Sequence, residues 1–240
     1  MKIGILHTGI VPESLQQEYI SYAQMFIDLL GSRSNDFEFK IYEVLEMAFP
    51  ENVDECDGWI ITGSKYGVYE NHPWIKPLSA LVRSIAANKS PMLGVCFGHQ
   101  LIAQALGGKV ENSSKGWGLG FDTYTIENKP DYMANMSDST LILNIFHQDQ
   151  VVSLPEGATV FAKSDFCENA GFYIENHVLT IQAHPEFSLL FNEDLLRFYR
   201  GSSIPVDVID LALEQLKGQE GKITREFLGS IKNFFLPVQA

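Results

Sequence analysis

Pro91-Met92-Leu93-Gly94-Val95-Cys96-Phe97-Gly98-His99-Gln100-Leu101-Ile102-Ala103-Gln104-Ala105-Leu106 is the stretch on which the fold turns. A short apolar run, Pro91–Val95, has the length of a buried strand, and Gln100–Leu106 has the composition of a helix. Between them Gly94 and Gly98 flank Cys96. A side chain at such a junction points out of the sheet edge only if the backbone bends sharply. Glycines remove the Cβ atoms that would collide where strand and helix approach. Cys96 then sits at a helix N-terminus, where free N–H groups and the helix dipole favour a thiolate. The N–H of Phe97 is one of those free donors and is placed to hold a developing oxyanion. Taken alone, the turn fits a nucleophile and a buried structural thiol equally well, because free cysteines are often buried.

The flanking sequence sets the fold class. Lys2–His7, Glu38–Glu43 and Gly58–Thr62 read as strands. Ser14–Leu30 has helical spacing and stops at Gly31, and Trp74–Ala87 is helical with Pro73 at its start. Alternating strands and helices predict an α/β fold with a mainly parallel central sheet covered by helices on both faces. After Gly107-Gly108 the pattern changes. Lys109–Glu111, Phe121–Ile126, Thr140–Ile145, Thr159–Ala162, Ala170–Ile174 and Val178–Gln182 all read as strands, an additional smaller antiparallel region. Helical spacing returns at Leu189–Tyr199, Val206–Leu216 and Ile223–Phe235. The expected organisation is one domain over residues 1–200, with residues 201–240 a helical extension packed on it.

A thiolate nucleophile needs a base, and the base needs a group to orient it. His184-Pro185-Glu186 follows the apolar strand Val178–Gln182. In an extended segment, residues two apart share a face, so Glu186 is expected to hold one ring nitrogen of His184 while the other faces Cys96. An incidental surface turn is the alternative. His99 lies inside the helix and reads as a packed histidine. His7, His72 and His177 are isolated, and no cluster has metal-ligand spacing. Trp59 and Trp117 read as core or wall residues, and Lys115-Gly116-Trp117-Gly118 as a loop near the pocket rim. Cys56 and Cys167 read as structural.

Composition narrows the partners. Seventeen basic residues against 30 acidic ones give a net charge of −13. That balance argues against nucleic acid or an anionic membrane as a partner. Three unpaired-looking cysteines, the short N-terminal apolar run and the lack of a membrane-length apolar stretch predict a cytoplasmic protein in a reducing compartment.

Gly94-Val95-Cys96-Phe97-Gly98-His99-Gln100, then Gly107-Gly108-Lys109-Val110, then His184-Pro185-Glu186 together resemble the class I (triad) glutamine amidotransferase domain over roughly residues 1–200. Within it the chain is similar to stand-alone relatives of the GMP synthase amidotransferase domain and to γ-glutamyl peptidases. The resemblance implies a flavodoxin-like fold and a Cys96 nucleophile that forms a γ-glutamyl thioester. It implies His184 as general base and acid, and Glu186 as its orienting partner. Gly63 and Phe97 would supply the oxyanion donors. Gln100 would contact the amino-acid end of the substrate, and His147 and Gln148 would line the pocket. The GMP synthase domain typically carries Ser-His-Gly-Asp where this chain has Phe146-His147-Gln148-Asp149, so Gln148 is expected to narrow or reshape that pocket. No cofactor is implied.

Three functions remain open. One is glutamine hydrolysis with a separate synthetase as ammonia acceptor. The second is hydrolysis of γ-glutamyl peptides or conjugates. The third is a non-catalytic binding or regulatory protein on the same scaffold.

Overall fold

The computed structural model describes residues 1–31, 36–217 and 225–236. Among these residues the central sheet has nine strands. They are β1 (Lys2–His7), β2 (Glu38–Glu43), β3 (Gly58–Ile61), β4 (Met92–Val95), β6 (Gly118–Ile126), β7 (Thr140–His147), β9 (Thr159–Lys163), β10 (Gly171–Ile174) and β11 (Val178–Ile181). The order is β2-β1-β3-β4-β11-β10-β9-β6-β7. The five strands from β2 to β11 pair in parallel. Pairing turns antiparallel from β10 onward. A separate antiparallel pair joins β5 (Lys109–Asn112) to β8 (Asp149–Ser153).

Apart from the edge strand β2, the parallel strands are buried on both faces, which is why they read as near-continuous apolar runs. On one face Ile3, Ile5, Ile60, Leu93 and Val95 pack against Phe26 and Leu30 of α1 (Tyr22–Gly31) and against Phe227 and Ile231 of α6 (Arg225–Phe235). On the other, Leu6, Trp59 and Ile61 pack against Leu78, Val82 and Ile85 of α2 (Ile75–Ala87) and against Leu101 and Ile102 of α3 (Phe97–Ala105). Two further helices follow the sheet, α4 (Leu189–Tyr199) and α5 (Val206–Leu216). Ile209, Ala212 and Leu216 of α5 pack with Leu119 and Leu196 in a smaller cluster. The segments read as strands from the sequence are strands, with ends displaced by a few residues. Residues 223 and 224 of the last expected helix lie outside the described residues.

Two local readings need correction. The helix expected over Ser14–Leu30 is interrupted: a 3-10 turn covers Glu13–Leu15 and α1 begins only at Tyr22. Tyr19 leaves the helical path to pack edge-on against Phe191 at 4.8 Å and to donate its hydroxyl to Asp194. Ser21 then caps the new start by accepting from the Gln24 N–H at 3.0 Å. Strand β8 was not foreseen, because Asp149–Ser153 has a half-polar composition that only its pairing with β5 makes a strand. α3 starts at Phe97, so Cys96 abuts its first residue, in keeping with the helix N-terminus expected at Cys96.

Candidate active site

Parallel strands end at a common edge, and the chain uses three adjacent ends. β3 runs into Gly63, β4 into Cys96 and β11 into His184. Such carboxyl ends are where open α/β sheets place ligands.

Cys96 adopts φ 52° and ψ −105°, a strained conformation for a residue with a side chain. Its neighbours make that bend possible. A Cβ on Gly94 would lie 2.6 Å from the Gly98 carbonyl oxygen, and one on Gly98 would drive into the Ile61 carbonyl. The backbone is also held from below by the Cys96 N–H donating to Ile181 at 2.9 Å. Cys96 is 5% exposed. Its Sγ lies 3.9 Å from the Phe146 carbonyl oxygen, beside the unpaired N–H groups of the first turn of α3.

His184 Nδ1 and Glu186 Oε1 are 2.7 Å apart, and both side chains are buried. The contact expected from the sequence forms, but by a different local geometry. Residues 184–186 make a turn rather than an extended segment, with the Phe187 N–H donating to the His184 carbonyl at 3.4 Å. Phe187 stacks on the His184 ring, with centroids 3.9 Å apart and planes within 10°. The ring also lies close to Gly63, where a Cβ would come within 2.8 Å of His184 Cε1. Burial alone would disfavour the imidazolium. The Glu186 carboxylate and the Cys96 thiol outweigh it and raise the pKa of His184 to about 10.

Distant residues hold this turn. The His184 N–H donates to the Asn144 carbonyl at 2.8 Å, and Asn144 Nδ2 donates to the Phe187 carbonyl at 2.8 Å. Asn192 of α4 donates in turn to Asn144 Oδ1 at 3.0 Å and to Gly120 at 2.6 Å. The loop at Gly63 has its own brace, Thr8, whose hydroxyl donates to the Thr62 carbonyl at 2.9 Å.

Cys96, His184 and Gly63 line one cavity of about 440 Å³, together with Gln100, His147 and Gln148. A larger cavity of about 710 Å³ lies behind Glu186, between α1 and α6, and does not reach Cys96. Chemistry at the thiol therefore belongs to the smaller one. Gln100 spends its amide donors on the Asp149 carbonyl at 2.9 Å and on Gln182 Oε1 at 3.0 Å. His147 donates through Nδ1 to the Asp149 carbonyl at 3.1 Å, and burial lowers its pKa to about 4. Phe97 turns its side chain away, onto Trp74, and leaves only its N–H near Cys96. His99 is fully buried against Thr180 at 2.9 Å, and burial lowers its pKa to about 3, so it is a packed neutral histidine. Trp117 lines the cavity, whereas Trp59 is in the core.

Sequence reasoning missed Tyr22, Phe187, Asn144 and Asn192. Ser21 as a helix cap could have flagged Tyr22. Nothing local marks the two asparagines.

No described helix is long and apolar enough to cross a membrane. The family model for glutamine amidotransferase class-I matches residues 16–197. A gamma-glutamyl peptidase 2 of Arabidopsis thaliana is 30% identical over 227 residues, covering 92% of this chain and 85% of that protein. A glutamine-hydrolyzing GMP synthase of Porphyromonas gingivalis is 33% identical over 139 residues, 57% of this chain but only 26% of that longer protein. In fold, a glutamine amidotransferase from Thermotoga maritima superposes with a TM-score of 0.79 over 98% of both chains at 19% identity. The chain therefore belongs to the class I glutamine amidotransferase family.

Proposed function

We propose that the chain hydrolyses a γ-glutamyl amide through a covalent thioester on Cys96, with His184 and Glu186 completing a triad. The observation that carries this reading is the 2.7 Å His184–Glu186 contact set beside a strained, glycine-flanked thiol in one cavity. Glu186 fixes the orientation of the His184 ring and stabilises its protonated form. The sulfur attacks the amide carbon and a C–S bond forms. The N–H groups of Phe97 and Gly63 receive the oxyanion, each worth roughly 3 kcal/mol of barrier. As the intermediate collapses, the C–N bond breaks and His184 gives its proton to the departing nitrogen. Water, deprotonated by His184, then adds to the thioester. The C–S bond breaks, releasing glutamate and returning the proton to the Cys96–His184 pair.

Gln100, His147 and Gln148 would bound the end of the cavity that takes the amino-acid head of the substrate. Residues 1–200 would form the catalytic unit, with the extension beyond them packed on it. If glutamine is the physiological substrate, the ammonia goes to a separate acceptor enzyme. If a γ-glutamyl peptide is, no such partner is needed.

The test is release of glutamate by the purified protein from glutamine and from γ-glutamyl dipeptides, with Cys96→Ala as control. A glutamine-like chloro ketone should label Cys96, as read by peptide mass spectrometry. Full activity in Cys96→Ala would overturn the assignment. Inertness towards every γ-glutamyl amide, with no labelling, would favour the non-catalytic reading.

A further inference from the structure

The cavity that Cys96 and His184 line has a polar part and an apolar part. In the polar part Gln100, Asn112, Gln148 and Asp149 suit the charged head of a glutamyl group. The apolar part is formed by Tyr22, Trp117, Phe146, Leu195, Tyr199 and Ile204. Phe146 links this wall, packing against Trp117 at 6.0 Å and against Tyr199 at 5.5 Å. The wall continues to the catalytic histidine, because Tyr22 stacks on Phe187 at 5.9 Å and Phe187 stacks on His184. Tyr199 and Ile204 lie just beyond the family-matched residues 16–197. They are held in place by the α4–α5 turn, where Gly201 donates to the Ile204 carbonyl at 3.0 Å and Arg200 pairs with Asp210 at 2.7 Å.

The position of the histidine assigns the two parts. His184 must protonate the departing nitrogen, so the leaving group lies on the His184 side of the thioester carbon. That side is the aromatic one. Ammonia is small and strongly hydrated and gains nothing from an aromatic wall, whereas an apolar body there is removed from water. Tyr22, Trp117, Phe146 and Tyr199 are only partly buried, so their free surface faces a cavity that a larger leaving group would fill.

We propose that the leaving group is an amine with an apolar or aromatic body, so that the substrate is the γ-glutamyl amide of an apolar amino acid or amine rather than glutamine. Trp117, Phe146 and Tyr199 are then specificity-determining residues, and the turn carrying Ile204 closes the chamber. This rests on the γ-glutamyl hydrolase reading above.

The test is a series on the wild-type protein: kcat/KM for glutamine, γ-glutamyl-glycine, γ-glutamyl-alanine, γ-glutamyl-valine and γ-glutamyl-phenylalanine. The expected result is a rise along the series, with phenylalanine at least about tenfold above glycine, the scale of burying one apolar side chain. Tyr199→Ala and Trp117→Ala should each collapse the phenylalanine-to-glycine ratio towards one. That ratio is unaffected by a general loss of folded protein. A flat series, or glutamine as the best substrate, overturns the proposal while leaving the hydrolase reading intact. So does a ratio that survives in both variants. No hydrolysis of any member, together with no labelling of Cys96, would instead sink the underlying reading.

Discussion

The two turns that meet in the active site are built on opposite plans. The Cys96 turn is held by what is missing. Gly94 and Gly98 leave out two Cβ atoms, and strand and helix close on the gap. Its geometry is written into seven consecutive residues. The His184 turn is held by what is added from afar: the Asn144 carbonyl, the Asn144 and Asn192 amides, and the Phe187 ring. Its geometry depends on residues 40 positions upstream and on a helix that follows. The first turn stores strain at Cys96. The second supplies rigidity to the His184 ring. A reaction that moves a proton between them needs both, since small misplacements at either cost rate.

Substitutions can separate the two plans. The largest effect is expected from Cys96→Ala, which should lower glutamate release by more than about 10⁴-fold, with His184→Ala close behind, because members of such a unit are not additive. The thermal melt of Cys96→Ala should stay near wild type, which distinguishes lost chemistry from lost fold, whereas His184→Ala, which leaves Glu186 buried without its partner, should melt lower. Next is Gly98→Ala. The Ile61 carbonyl it would strike is backbone and cannot rotate away, so the variant should lose about 3 kcal/mol in urea unfolding. A wild-type midpoint would refute the close-approach account of the Cys96 turn.

Asn144→Ala should act more gently. It frees the Phe187 carbonyl from one hydrogen bond and leaves the Asn192 amide with Gly120 as its remaining acceptor, at about 1–3 kcal/mol. A drop in kcat of roughly tenfold with little change in KM would mark it as a positioning residue for His184. Loss of stability with undiminished kcat would show that the turn holds its shape without it.

The effects of pH act through the three buried histidines. His184 has a folded pKa raised from 6.5 to about 10. Its contribution to stability is therefore complete below pH 6.5 and is lost as pH rises towards 10. His99 and His147 have the opposite sign, lowered to about 3 and about 4. The unfolded chain takes up protons that these two refuse, so stability falls as pH drops from 6.5 through 4. Each group accounts for a slope of about 1.4 kcal/mol per pH unit within its window. Denaturant titrations should show a maximum near pH 6.5. Glu186→Gln should flatten the alkaline limb and His99→Gln the acid one. An alkaline limb unchanged in Glu186→Gln would break the coupling between Glu186 and His184.

Legibility follows the same division. The inner strands of the parallel half could be read because burial on both faces leaves them almost wholly apolar. The Gly-x-Cys-x-Gly turn could be read because sterics act between near neighbours. The His184–Glu186 pair could be guessed from spacing, although the chain achieves it by a turn and not by alternation. Strand β8 was hidden, because Asp149–Ser153 carries no strand pattern until β5 pairs with it. The break before α1 was hidden behind helical spacing that Tyr19 forsakes for Phe191.

By itself, then, the sequence determined the α/β class, the cysteine turn and the candidates for the reacting side chains, because each depends on local sterics or on periodicity along one element. Only the tertiary structure decided which ends of the sheet meet, how Asn144 and Asn192 seat the His184 turn, and that the space beside the histidine is aromatic. Those are contacts between elements far apart in the chain. Their energy comes from desolvation and hydrogen bonds that exist only once the nine strands have closed into one sheet.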